Sequence, residues 1–166
     1  MFVLGIDPGL SRTGYAVIEW APAGPRAVAV GVIRTDPGAP VAARLGELYS
    51  DLESVIADHH PDEAAIEEVF VNRNLQTATA VARASGVAIL AAARAGLGVH
   101  EYTPSAVKMA VVGYGDATKD QVQTVVARRL GLGAIPGPAD AADALAVALC
   151  HLQGAGLRRS IGEATR

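Results

Sequence analysis

The sequence predicts an α/β fold built on a mixed sheet, on three observations. Three short apolar runs come first, joined by tight connections, as in an antiparallel meander. Helical and extended patterns then alternate, as they do where helices connect parallel strands. The remainder is mainly helical, broken by Gly and Pro.

The first run, Phe2 to Ile6, stops at Asp7-Pro8-Gly9. Proline cannot continue a central strand and Pro-Gly favours a turn, so the strand ends at Asp7. Gly14 to Trp20 and Arg26 to Arg34 read as the second and third strands, with Pro22 to Pro25 turning between them. Val41 to Ala57 sets Leu45, Leu48, Leu52, Val55 and Ile56 at helical spacing, and Pro61-Asp62 closes it. Ala64 to Ile66 is a small buried strand running into Glu67-Glu68. Leu75 to Ala95 is a long alanine-rich helix with Gly86 as a candidate bend. Val99 to Tyr102 is the fifth strand, and Pro104 marks a helix start. After Gly113-Tyr114-Gly115, Asp116 or Thr118 caps a helix from Lys119 to Leu130. Gly131 to Pro138 is a loop, and Ala139 to Leu152 is the last helix. Residues 153–166 are Gly-rich and charged with no apolar period, so they are expected to be a flexible tail behind a single 1–152 domain.

The composition agrees with one domain. A chain of 166 residues can bury about 68–70% of its unfolded surface, so it needs no disulfide staple. With 51% hydrophobic and 19% charged residues it cannot be a disordered chain. Aromatics are only 4%, so Ala, Val, Leu and Ile must build the core. The single cysteine, Cys150, excludes an internal disulfide and a Cys-rich zinc site, and reads as a core residue. A formal charge of −3 gives no global attraction to nucleic acid, so any such binding must use a local basic face. Apolar runs are broken by Arg or Asp short of the ~20 residues of a membrane span. The start lacks the pattern of a signal peptide. A soluble, cytoplasmic protein with no membrane partner is expected.

Four carboxylates stand out by position. Asp7 ends the first strand and Glu67 the fourth, while Asp140 and Asp143 lie three apart on one face of the last helix. Ala144, Leu145, Val147, Ala148 and Leu149 follow, so these acids sit on an apolar helix where unpaired charge is costly. If the four converge, repulsion raises their pKa values unless a cation joins them. Oxygen donors without Cys or paired His select Mg²⁺, or Mn²⁺, over zinc. Two such ions about 4 Å apart would serve phosphodiester hydrolysis. Each acid alone also fits a plainer role. A strand-end Asp before Pro-Gly serves turns, and Asp140 suits a helix start. Pattern alone leaves both readings open.

The motifs resemble those of RuvC-type Holliday-junction resolvases. Gly5-Ile6-Asp7-Pro8-Gly9 with Thr13-Gly14-Tyr15 is similar to the family's opening, and Ala65-Ile66-Glu67-Glu68-Val69-Phe70 to its second acidic motif. Gly86-Val87-Ala88, then Tyr102-Thr103-Pro104 with Val107-Lys108 and Val111-Val112-Gly113, and Ala139 to Ala146 resemble the later blocks. Any one motif is moderately specific; five in order, over residues 2 to about 152, are highly so. The resemblance implies an RNase H-like fold with a mixed five-stranded sheet. It also implies a homodimer that nicks two opposed strands of a four-way DNA junction with Mg²⁺, and a branch-migration motor as partner. Asp7, Glu67, Asp140 and Asp143 fall on the family's catalytic, metal-binding acids. Lys108 and Lys119, the only lysines, fall on basic positions near the scissile DNA; lysine brings a compact charge to phosphate, though most lysines are simply solvated. Phe70 falls on an aromatic used at the opened junction centre, where stacking on a base is worth about 1–3 kcal/mol. Arg12, Arg73 and Asn74, with Arg128 and Arg129, are candidates for a basic DNA-binding surface.

Other polar residues read as structural. His59-His60 closes a helix, His100 lies in a strand without a partner pattern, and His151 is too far along the last helix to join the acids. Glu68 is expected to face away from Glu67. The stretch from Leu75 to Ala95 is the candidate dimer contact. Three competing functions fit less well. An ATP-binding domain of the actin, sugar-kinase and Hsp70 type needs a second domain. A small RNase H-like ribonuclease acting on ribosomal RNA precursor usually lacks the second and last acidic motifs together. A non-catalytic junction binder would not need four convergent acids.

Overall fold

The computed structural model describes residues 1–68, 75–134 and 137–164, with 156–164 as backbone only. In chain order the elements are β1 (Phe2–Asp7), β2 (Arg12–Ala21), β3 (Gly24–Arg34), α1 (Val41–His59), β4 (Glu63–Glu67), α2 (Leu75–Arg94), β5 (Gly98–Tyr102), α3 (Pro104–Val112), α4 (Lys119–Arg129) and α5 (Ala139–Ala164). The sheet runs β3-β2-β1-β4-β5. β1–β2 and β2–β3 are antiparallel, whereas β1–β4 and β4–β5 are parallel. The meander followed by parallel strands is the mixed sheet the sequence pattern predicts.

Strand parity sorts the side chains into two cores. Leu4 and Ile6 of β1 and Ile66 of β4 pack with Leu48 and Leu52 of α1 and Ala84 and Ala88 of α2. Val3 and Ala65 face the other way and join Val107 of α3, Val126 of α4 and Leu145 and Leu149 of α5. Helices therefore cover both faces. Asp7 and Glu67 share the parity of Val3 and Ala65, which sends them toward the α3–α5 layer.

Two glycines let α5 lie directly on the sheet. A Cβ on Gly5 would stand 2.2 Å from the Ala144 carbonyl oxygen, and one on Gly14 would stand 1.9 Å from that of Asp140. Neither strand position could carry a side chain without lifting the helix. Alanines at 141, 144, 146 and 148 do the same from the helix side, and all are buried.

Local chemistry sets the helix starts. Thr103 caps α3, its hydroxyl accepting from the Ala106 amide, with Pro104 in the first turn. Thr118, not Asp116, caps α4. Its hydroxyl accepts from the Gln121 amide while the Gln121 side chain accepts from the Thr118 amide.

One expectation needs correction. Helix α5 does not stop at Leu152 but runs to Ala164. Residues 153–164 contain no proline, and the Leu, Arg and Glu among them are good helix formers. The glycines cost about 1 kcal/mol each without ending the helix. Helix α2 is 20 residues long and apolar enough to cross a membrane by length and composition. Only one face of it packs into the core, through the buried Ala84, Ala88, Ala91 and Ala92, and most of the rest is exposed or half-buried.

Candidate active site

The site forms where three parts of the chain end together. In the parallel pairing Ile6 of β1 stands beside Ile66 of β4. The next residues, Asp7 and Glu67, are therefore side by side at the strand ends and on the same face. Asp7 also pairs with Gly14 of β2, where α5 makes its close approach. That approach brings the first turns of α5, with Asp140 and Asp143, over the ends of β1 and β4. The turn after Asp7 is held by Thr13, almost fully buried, whose hydroxyl donates to the Gly9 carbonyl at 2.7 Å.

Asp7, Glu67 and Asp143 line a cavity of about 270 Å³ together with Lys108 of α3 and Lys119 of α4. Asp140, one turn before Asp143 on α5, does not line it, but its charge acts on Asp7. The four sequence-predicted acids thus converge. Burial pushes the Asp7 carboxyl up to about 8, reinforced by the charges of Glu67, Asp143 and Asp140. Burial and the Asp143 charge also raise Glu67 above the ordinary carboxylate range. The close approach of the Glu67 carboxyl also contributes to the rise at Asp7.

Cations already answer part of this charge. Lys119 Nζ donates to Asp143 Oδ2 at 2.5 Å. Partial burial works against the ammonium, but the bond to Asp143 and the surrounding carboxylates hold its pKa above the usual value. Arg12 Nε lies 3.0 Å from Asp140 Oδ2. Arg12 belongs to β2, which begins two residues before the expected strand start, and its guanidinium is half exposed beside the acids. Glu68 is exposed, whereas Glu67 is partly buried. Phe70, Arg73 and Asn74 lie outside the described residues. Arg128 and Arg129 are exposed in the last turn of α4.

This donor set fits hard divalent cations. It offers carboxylate oxygens only, and burial together with the neighbouring acids pushes the Asp7 carboxyl up to about 8.

Sequence reasoning missed a second polar group in the same layer. His151 is fully buried, with Nε2 2.5 Å from Glu63 Oε2 and Nδ1 2.8 Å from the Tyr102 hydroxyl. His100, read as lacking a partner, has its Nε2 3.5 Å from the same Glu63 oxygen. The signal was present: Glu63, Ala65 and Glu67 share one strand face, and Asp143, Val147 and His151 one helix stripe.

A mixed sheet in this order, with acids at the ends of β1 and β4 under an acidic helix, defines an RNase H-like nuclease. The family described as crossover junction endodeoxyribonuclease RuvC matches residues 3–151. The RuvC of Heliobacterium modesticaldum is 53% identical over 150 residues, covering 90% of this chain and 93% of that protein. The RuvC of Pelotomaculum thermopropionicum is 50% identical over 151 residues, covering 91% and 92%. Among solved structures, Thermus thermophilus RuvC in complex with a Holliday junction substrate superposes with a TM-score of 0.89 at 36% identity, covering 95% of this chain and 96% of that one. The yeast mitochondrial Holliday junction resolvase Ydc2, at 12% identity and a TM-score of 0.62 over 91% of this chain and 78% of that one, shares the fold. The chain belongs to the RuvC family of crossover junction endodeoxyribonucleases.

Proposed function

We propose that this chain resolves four-way DNA junctions during recombination and repair, hydrolysing phosphodiesters at the pocket of Asp7, Glu67, Asp140 and Asp143. The convergence of these four acids beside two lysines carries the reading. Metal dependence follows from family and donor set; the reading is of two Mg²⁺ ions, with Mn²⁺ as the alternative. When bound, such ions supply charge neutralisation and Lewis acidity to a phosphodiester.

The chain's own groups define what else happens. Asp7 and Glu67 stand on rigid strand ends, so their oxygens are pre-positioned. Loss of the Asp7 proton, which a cation favours, frees its carboxylate as a ligand beside Glu67. Lys108 and Lys119 offer ammonium groups at the cavity wall for the scissile phosphate. Arg12, beside Asp140, is placed to contact a flanking phosphate once the acids are neutralised. Phe70 is proposed to stack on a base at the opened junction, with Arg73 and Asn74 against the backbone.

A junction has two opposed strands to cut, which calls for two copies of the pocket related by two-fold symmetry. The solvent face of α2 supports a homodimer. Thr79, Ala82, Gly86, Leu90 and Ala93 form an exposed stripe at helical spacing. A branch-migration motor and a cytoplasmic location complete the proposal. The Thermus thermophilus relative, solved with a Holliday junction, supports the choice of substrate.

The direct test incubates the protein with a synthetic four-way junction and a linear duplex, each with and without Mg²⁺. Paired nicks in the junction alone, only with metal, are expected. Equal cutting of the duplex, or cutting in chelator, would refute the proposal.

A further inference from the structure

The aisle between α5 and the strands β4 and β5 holds polar groups at both ends. Asp143 and Glu67 stand at one end. Eight residues along α5 and four back along β4 come His151 and Glu63, roughly 12–13 Å away by helix and strand rise. Ala65 and Val147, the first buried and the second nearly so, lie between. The second group is therefore separate from the acid pocket. It is also chemically different, with two imidazoles and one carboxylate.

We infer that Glu63, His100 and His151 form a site for a transition metal of the zinc, copper or nickel class. One ligand atom from each lies within 4.8 Å of the others. Bonds of about 2.0–2.2 Å place tetrahedral donors roughly 3.3 Å apart. The separation of 3.5 Å from His100 Nε2 to Glu63 Oε2 already suits such a site. The 2.5 Å contact from His151 Nε2 to the same oxygen has to open by several tenths of an ångström. Glu63, about one-third exposed, is free to turn by that much. The ion would take the place of the direct contact between His151 Nε2 and Glu63 Oε2.

The surroundings are those of a ligand site. The Tyr102 hydroxyl holds His151 Nδ1 at 2.8 Å and so aims Nε2 at Glu63, the arrangement that orients metal-bound imidazoles. His151 is fully buried, whereas the side chains of His100 and Glu63 are about one-third exposed, which leaves an entry path from solvent. The ring centroids of His100 and His151 are 4.7 Å apart. Two imidazoles and one carboxylate match zinc, copper or nickel, not Mg²⁺. An ion here would clamp β4 and β5 to α5, and so tie the strand that carries Glu67 to the helix that carries Asp140 and Asp143.

The test offers Zn²⁺ alone, at one equivalent, to full-length metal-free protein. Binding is read by dialysis and by the rise in melting temperature that selective binding to the folded state produces. Co²⁺ serves as a coloured surrogate, because a four-coordinate nitrogen–oxygen site absorbs visible light far more strongly than an all-oxygen octahedral one. The inference expects binding, a higher melting temperature and strong Co²⁺ bands in the wild type and in Asp143→Asn. His100→Ala and Glu63→Gln, both at partly exposed positions on the sheet, are expected to lose all three while far-UV circular dichroism shows the fold retained. Tyr102→Phe is expected to weaken Zn²⁺ binding roughly 10- to 100-fold. No Zn²⁺ binding to the wild type, undiminished binding to His100→Ala, or binding lost in Asp143→Asn would each overturn it.

Discussion

At the scale of single residues, Asp7 concentrates the argument. It is the innermost acid of the pocket, raised to about 8 by burial and by its acidic neighbours. Asp7→Asn keeps the shape and removes a metal ligand. Junction cleavage should fall to background while junction binding persists in a gel-shift assay. The raised value also fixes the sign of a pH effect. The folded chain holds a proton on Asp7 that the unfolded chain has lost, from the ordinary value of 3.8 up to about 8. This group's stabilisation is complete below 3.8 and is lost as pH rises through about 8. Melting of metal-free protein should therefore show falling stability as pH approaches 8, and Mg²⁺ should restore it most at the alkaline end. Lys119 is argued the same way. A charge-assisted contact to phosphate is worth about 1.5–3 kcal/mol, so Lys119→Ala should slow cleavage roughly 10- to 100-fold in single-turnover assays. The positions of the four acids, at element boundaries or on one helix face, singled them out in the sequence, while pattern alone left a plainer role open and the family resemblance carried the metal role. The Glu63–His100–His151 group was overlooked although strand parity and the helix stripe carried a signal, because its members are far apart in sequence and each looks unremarkable alone.

At the scale of elements, the site depends on how closely α5 lies on β1 and β2. Gly14→Val would drive a side chain into the Asp140 carbonyl. Such overpacking costs about 1–3 kcal/mol or more and lifts Asp140 and Asp143 from Asp7. Cleavage should be lost while far-UV circular dichroism still shows a folded α/β protein. Gly46 of α1 is the contrast, since nothing lies within 4 Å of the place a Cβ would take. Gly46→Ala should raise stability by about 0.5–1 kcal/mol in a denaturant titration, with cleavage unchanged. The strands and helices were readable in order, from periodicity and from Pro and Gly stops. The end of α5 was misplaced because glycines weaken the helical pattern without breaking the helix. The role of Gly5 and Gly14 was missed because their close contacts are with backbone far along the chain. An isolated glycine in an apolar strand was the available signal.

At the scale of the whole molecule, the mixed sheet was legible because connection lengths separate a meander from crossovers. Which helix covers which face was not, since that rests on register and strand parity. The proposed paired nicking requires two pockets, so light scattering should give about twice 17.0 kDa at micromolar concentration. A monomer there would contradict that part of the account. The central claim is that Asp7, Glu67, Asp140 and Asp143 act together as one divalent-cation site. The most direct measurement is anomalous diffraction from crystals soaked in Mn²⁺. The account expects strong peaks within coordination distance of Asp7, Glu67 and Asp143 oxygens. A pocket without peaks, while Mn²⁺ binds elsewhere on the same molecule, would contradict it.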